Sequence, residues 1–319
     1  MTDLLSRFAA NSFWMARYME RVENMARILE VNETFARDRE GRHQWLPVVL
    51  LQDDKKLFFQ HHTEADAQSV CNFYMFDREN GNSITQSVWM ARENARSLRH
   101  LISTELWSHL NVFYNRLNDL SVRPVTASNL SRLCTSIKED CQLHTGIVEG
   151  TLYRDQSWFF YRIGKLLERA DQMTRLVDIK YHNLLPRLED VGTQVDVSQW
   201  NAVLHSAAGY HAFRRVHPRG MRPNTIASFL LFNDRFPRSV RVCIREIRAL
   251  LVRLRNDEGL AAADSAIGLV DAIRAATEPL SIEQVIQMGL HEFNEGIQRH
   301  LIKLTNEFGH AFFGGETYD

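Results

Sequence analysis

Two stretches of the chain carry charges at a spacing that calls for a counter-ion. Trp14 to Arg27 reads WMARYMERVENMAR, and Arg162 to Arg175 reads RIGKLLERADQMTR. Each contains an adjacent acid and base, Glu20-Arg21 and Glu168-Arg169, and each sets two cations four residues apart, Arg17 with Arg21 and Lys165 with Arg169. Residues i and i+4 face one another on a helix, and like charges there cost about 0.2–0.5 kcal/mol unless something anionic lies between them. Glu20 and Glu168 can neutralise part of each pair from one turn away. A carboxylate on a facing helix, or a bound carboxylate or phosphate group, would satisfy the guanidinium donors better. If the anion is a ligand, the basic residues hold it and Glu20 and Glu168 orient them. If it is a protein carboxylate, the pairs are interhelical struts.

A third cationic face lies in Arg92-Glu93-Asn94-Ala95-Arg96-Ser97-Leu98-Arg99, where Glu93 can reach Arg96 at i,i+3. It reads as a solvated or ion-paired helix face, or as part of a polar pocket for a carboxylate or phosphate group. Glu23 to Arg27 and Asp171 to Arg175 are favourably oriented i,i+4 pairs that need no function. His291 and Glu295 share a helix face, and Glu40-Gly41-Arg42-His43 matches Glu-x-x-His. A di-iron bundle needs that motif twice with further glutamates on partner helices, so no metal site is expected. Cys71, Cys134, Cys141 and Cys243 form no C-x-x-C pair and read as reduced structural thiols.

The elements that must position these groups are helices. At 100° per residue, Met15, Tyr18, Met19, Val22, Met25, Ala26 and Leu29 fall in one apolar sector, and Arg17, Glu20, Arg21, Glu23, Asn24 and Arg27 in the other. The second stretch divides the same way, with Ile163, Leu166, Ala170, Met173 and Val177 on its apolar side. The two stretches align at an offset of 148, and later matches (Trp45 with Trp200, Phe73 with Phe229, Ser83 with Ser239) follow at 155 to 156. Matches in the same order point to a tandem duplication, with units near 10–130 and 150–260, an insertion near Pro186 to Asp196, and C-terminal helices over 261–319. Trp45 to Leu51 looks like a strand, but its counterpart at Trp200 argues for a short helix in both. Turns are expected at Asp77 to Asn82 and Asn233 to Arg238, with Ser83 and Ser239 capping the helices that follow. Ser281 and Gln284 suggest a capping box opening one last long helix that ends near Gly309. The expected fold is thus all-α, a helical bundle of two diverged repeats in a single domain over 1–319.

Composition agrees with this. The 319 residues are 45% hydrophobic and 24% charged, with only seven Pro and fifteen Gly, which favours an ordered chain with long helices over an all-β one. A net charge of −1 gives no long-range reason to expect nucleic acid or an acidic membrane as partner. No apolar stretch approaches the roughly 20 residues that span a bilayer, and the start lacks a signal-peptide pattern, so a cytoplasmic protein is expected. Lys occurs only at Lys55, Lys56, Lys138, Lys165, Lys180 and Lys303 among 38 cations. Arginine suits planar, bidentate contact with anions or buried ion pairs, although a genome rich in G and C would give the same bias.

The run from Ser6-Arg7 through Asn11-Ser12-Phe13-Trp14 to Arg27 resembles the opening signature of the bacterial alpha-E domain family. The match continues through Ala91 to Arg96 with Ser103 to Trp107, then Arg154-Asp155 to Arg175, then Pro237 to Val240, and covers most of the chain to about residue 250. Ala16 stands where the family is expected to have Gly, and Lys165 where it is expected to have Arg. The resemblance implies a helical protein encoded beside, or fused to, circularly permuted ATP-grasp proteins and transglutaminase-like peptidases, a context of ATP-dependent amide or peptide bond formation. ATP and magnesium would then sit on the ATP-grasp partner, which makes an acyl phosphate and passes it to an amine, and this chain would bind no cofactor itself. It could present a small carboxylate or peptide substrate at a polar site near the repeat interface. That site would be lined by Arg17, Arg21, Arg92, Glu93, Arg96, Lys165 and Arg169, with the matched positions Arg27, Arg154, Asp155 and Arg175, and in it Glu20 and Glu168 would be the catalytic residues, orienting the arginines or taking a proton from the incoming amine. The rival expectations are a non-catalytic scaffold that docks the ATP-grasp protein, with the Glu-Arg pairs as structural ion pairs, and an independent enzyme of unknown chemistry.

Overall fold

A computed structural model describes residues 4–38, 45–121, 125–183, 194–218 and 220–315. Among them the chain is helical, without a strand, in fifteen helices. The chain divides into two compact units, Met1–Arg17 with Tyr153–Asp319, and Tyr18–Leu152. The boundary falls inside the first helix, α1 (Ser6–Asp38).

The unit over Tyr18–Leu152 holds the rest of α1 with α2 (Leu46–Leu51), α3 (Lys55–His61), α4 (Ala67–Met75), α5 (Ile84–Ser97), α6 (Thr104–Leu120) and α7 (Ala127–Thr151). Trp45 to Leu51 is the short helix expected, with Pro47 in its first turn, where a missing N–H costs nothing. Helices α5, α6 and α7 pack in sequence, and α4 packs on α5 and α2. Phe58, Phe73, Tyr74, Val88, Leu110, Phe113 and Ile137 are among its core residues.

The other unit is built on α8 (Gln156–Asn183), which packs against α9 (Gln194–Ser206), α11 (Pro223–Phe232), α12 (Val240–Asn256) and α15 (Leu290–Phe312). Helix α10 (Tyr210–Val216) rests on α9, α13 (Ala263–Thr277) lies against α12 and α15, and α14 (Ile282–Met288) touches α11 and α15. Val240, Cys243, Ile244, Ile247, Leu251 and Leu254 recur at helical spacing and are all buried, which fixes the rotation of α12.

The boundaries follow local chemistry. Ser83 Oγ accepts from the Gln86 amide and Ser239 Oγ from the Val242 amide, capping α5 and α12 as anticipated. Each cap satisfies one of the donors that a helix start leaves open, so Ser83→Ala and Ser239→Ala are each expected to cost about 1 kcal/mol, read from urea midpoints. The C-terminal helix departs from expectation. Ser281 and Gln284 form their capping box, but the helix they open stops at Met288 and a second begins at Leu290. Gly289 between them has φ of 99°, a left-handed conformation that breaks the i→i−4 ladder and lets the chain re-enter a helix in a new direction. The insertion expected near Pro186 lies largely outside the described residues, as does Glu40 to His43. No helix of the described residues is long and apolar enough to cross a membrane. All four cysteines are buried and outside any disulfide, and burial pushes the Cys71 thiol up to about 12 and raises that of Cys134.

Candidate functional site

In the first unit α1 and α8 run parallel and close. Ser12 and Ser157 hydroxyls meet at 2.6 Å, and the Leu4 amide donates to Gln156 Oε1 at 3.0 Å. At Gly164 an added Cβ would lie 2.3 Å from the Phe13 carbonyl oxygen, so only glycine permits this approach. One turn further along both helices, Arg17 Nε donates to Glu168 Oε2 at 2.8 Å. Arg17 Nη1 also donates to Thr305 Oγ1 on α15 at 3.2 Å, and its guanidinium lies 4.7 Å from the Trp14 ring centroid. Gln172 Nε2 donates to the other carboxylate oxygen of Glu168. Arg17 is 8% exposed and Glu168 is fully enclosed. Taking such charges from water costs several kcal/mol each, which only a well-formed pair with further hydrogen bonds offsets.

The polar sectors of both Glu-Arg helices are therefore largely interior. Glu20, Glu23 and Asn24 on α1, and Lys165, Glu168, Asp171 and Gln172 on α8, are buried along with the apolar sectors. The i,i+4 pairs form as expected, Arg27 to Glu23 at 2.6 Å and Arg175 to Asp171 at 2.9 Å. Their carboxylates are enclosed and their guanidiniums half-buried, not solvated. Arg169 is half-buried on the same helix. Asp155 accepts from the Ser157 amide at the start of α8, and exposed Arg154 lies over the Trp158 ring. Those two positions tie down a helix start.

In the second unit Arg21 Nη1 donates to Asn82 Oδ1, whose Nδ2 donates to the Asp54 carboxylate, which also accepts from the Tyr74 hydroxyl. Burial raises the Asp54 pKa, against the lowering by Asn82, Tyr74 and the Arg21 charge. Arg92 reaches α6 instead, and Glu93 and Arg96 pair within α5. Arg92 Nε donates to Asn111 Oδ1 at 2.7 Å, and Glu93 bridges Arg92 and Arg96 at 2.8 and 2.9 Å. Thr305, Gln172, Asp54 and Tyr74 were not among the sequence candidates. Thr305 had a readable signal, since it is a polar residue at a position continuing the buried stripe of α15, whereas Gln172 lies in the polar sector of α8.

His291 resolves differently from a metal ligand. Its Nδ1 meets the Asp178 carboxylate at 2.9 Å and its Nε2 lies 3.5 Å from Glu295. No group of three His, Cys, Asp or Glu among the described residues could hold an ion. Desolvation lowers the His291 pKa, but the hydrogen bond and charge of Asp178, with Glu295 and Glu292, outweigh it and hold the imidazole above its ordinary value. A raised folded-state pKa means stabilisation that is complete below the unfolded value and is lost as pH rises through the folded one. The stability difference between wild type and His291→Gln is therefore expected to be largest at acid pH and to shrink as the solution passes above the histidine range, measured by urea unfolding across pH.

The family model Alpha-E, described as a predicted alpha-helical domain with a conserved ER motif, matches residues 4–313. An uncharacterized protein of Mycobacterium bovis and one of Mycobacterium tuberculosis are each 24% identical to the chain over 307 residues, covering 89% of it and 34% of themselves. The chain thus spans about a third of the length of these curated relatives. No solved structure matches.

Proposed function

From the premise that this chain belongs to the Alpha-E family, we propose that it is the non-catalytic helical component of an ATP-dependent amide- or peptide-bond-forming system, docking a circularly permuted ATP-grasp protein. ATP and magnesium are held by that partner, which forms the acyl phosphate. The Glu-Arg helices supply rigidity to the surface the partner meets. One observation carries this reading: the Arg17 guanidinium already has its anion, Glu168, with Thr305 and the Trp14 ring taking up the remaining faces. A cation so enclosed is a brace, and Glu20, 2% exposed, is equally unsuited to meeting an amine from solution. The parallel placement of Ser83 and Ser239 as caps, and of buried Phe73 and Phe229, supports descent of the two Glu-Arg helices from one duplicated unit.

Co-expression with a circularly permuted ATP-grasp protein from the same genome tests the proposal. Wild type and Glu20→Gln are expected to co-purify with it equally, Glu20→Gln melting lower while amide formation by the assembled pair is unchanged. Lost amide formation in a folded Glu20→Gln complex would return the site to a substrate-binding role for carboxylate or acyl phosphate. No co-purification of the wild-type chain would overturn the docking role.

A further inference from the structure

One face of the Tyr18–Leu152 unit differs in character from the rest of the molecule. Along α5 and α6, Trp89, Trp107 and Tyr114 are interleaved with arginines: Arg92 lies 5.4 Å from the Trp107 ring and 5.5 Å from Tyr114, and Arg99 lies 5.1 Å from Trp107. Trp89 is 37% exposed, Arg78 and Arg99 are exposed, and the Arg96 side chain is 66% exposed. Between Arg78, Thr85, Gln86, Trp89 and Tyr114 lies a cleft of about 270 Å³.

Charge along this face is one-sided. Helical spacing puts Trp107, Asn111, Tyr114 and Asn118 on one stripe of α6 and turns Glu105 and Asp119 away from it. Thr85, Gln86, Trp89, Arg92, Glu93 and Arg96 share the facing stripe of α5. Three guanidiniums on these stripes, those of Arg92, Arg96 and Arg99, therefore accompany one carboxylate, Glu93, which Arg92 and Arg96 share, while Arg78 stands between Asp77 and Glu79 at the edge of the face and donates to Asn118 Oδ1. A chain of net charge −1 has no overall reason to gather such an excess on one face. Arginine stacked on an aromatic ring keeps its N–H edge free for a carboxylate, and Trp, Tyr and Arg are the residues that dominate binding energy at protein interfaces.

We infer that this α5–α6 face docks an acidic, aromatic-bearing segment of a partner protein. The fourteen residues of α5 rise about 20 Å, the reach of about six extended residues, which suits a length of chain better than a small molecule. Carboxylates of the segment pair with Arg96 and Arg99, and an aromatic side chain fills the cleft beside Trp89 and Tyr114. The inference rests on the docking role above and names the surface and the chemistry of what it meets.

Fluorescence anisotropy of a labelled peptide of alternating glutamate and tyrosine tests it without the ATP-grasp protein. The wild-type chain is expected to bind this peptide and not its lysine-tyrosine counterpart. Trp89→Ala and Arg99→Glu, both at exposed positions, are each expected to weaken binding about tenfold or more while leaving thermal unfolding unchanged. Absent binding, equal binding by both variants, or displacement of the peptide by a single-stranded oligonucleotide at lower concentration would overturn the inference. Because the peptide assay and the co-purification are separate, a partner retained by Trp89→Ala and Arg99→Glu would sink this surface and leave the docking role standing. Peptide binding without co-purification would do the reverse.

Discussion

Glu168→Leu lowers the unfolding free energy by about 3–5 kcal/mol, the expected cost of leaving one member of a buried ion pair alone. Leucine fills similar volume, so the loss is electrostatic. Without Glu168, Arg17 keeps the Thr305 hydroxyl and the Trp14 ring, neither of which carries a neutralising charge, and Gln172 loses this acceptor. The pair of Arg27 with Glu23 sets the comparison: Arg27 is the more exposed partner, so Arg27→Ala opens the enclosed Glu23 carboxylate to water from that side and is expected to cost less. Urea unfolding of the two variants side by side checks both size and order. A Glu168→Leu protein as stable as wild type would mean that Arg17 carries no uncompensated charge in the fold.

Gly164→Ala is expected to cost about 1–3 kcal/mol or more, although alanine is the better helix former and at an ordinary helix position would gain nearly 1 kcal/mol. The methyl group has no room, because it would meet backbone of α1, at the Phe13 carbonyl, and not the flexible end of a side chain. Relief requires α1 and α8 to separate, which lengthens the Arg17–Glu168 contact one turn away. The variant should therefore also lower the coupling between those two residues, whereas Gly146→Ala on α7, with open space at its Cβ, should be neutral to stabilising. Chemical unfolding of the two alanine variants distinguishes close packing from a general effect of glycine.

Much of the fold was readable because helical period and capping are local. The apolar sector from Met15 to Leu29 is buried almost as drawn, Tyr18 alone being half-buried, and Ser83 and Ser239 cap where their sequence position implied. The break at Gly289 was missed because a lone glycine inside a periodic stretch is more often tolerated than used for its left-handed backbone. The identity of the anion near Arg17 was not readable at all. A helix wheel separates polar from apolar sectors, but a polar sector packed on other helices has the same periodicity as one facing water. Glu168 stands out in the sequence for its adjacency to Arg169, yet it pairs with Arg17, 151 positions earlier. Only the tertiary path that brings α1 beside α8 at Gly164 makes that contact, and Thr305 joins from a helix still further along the chain.

The central claim is that the Glu-Arg helices are braced internally and are not a binding site, and the double variant Arg17→Met/Glu168→Leu tests it most directly. Replacing a buried pair by apolar residues of similar size is often neutral for stability, so the double variant is expected to regain most of what Glu168→Leu alone loses. The measurement is amide formation by its complex with the ATP-grasp protein. Activity equal to wild type is the predicted result. A stable, correctly assembled double variant without activity would contradict the account and make Arg17 and Glu168 ligands of the substrate.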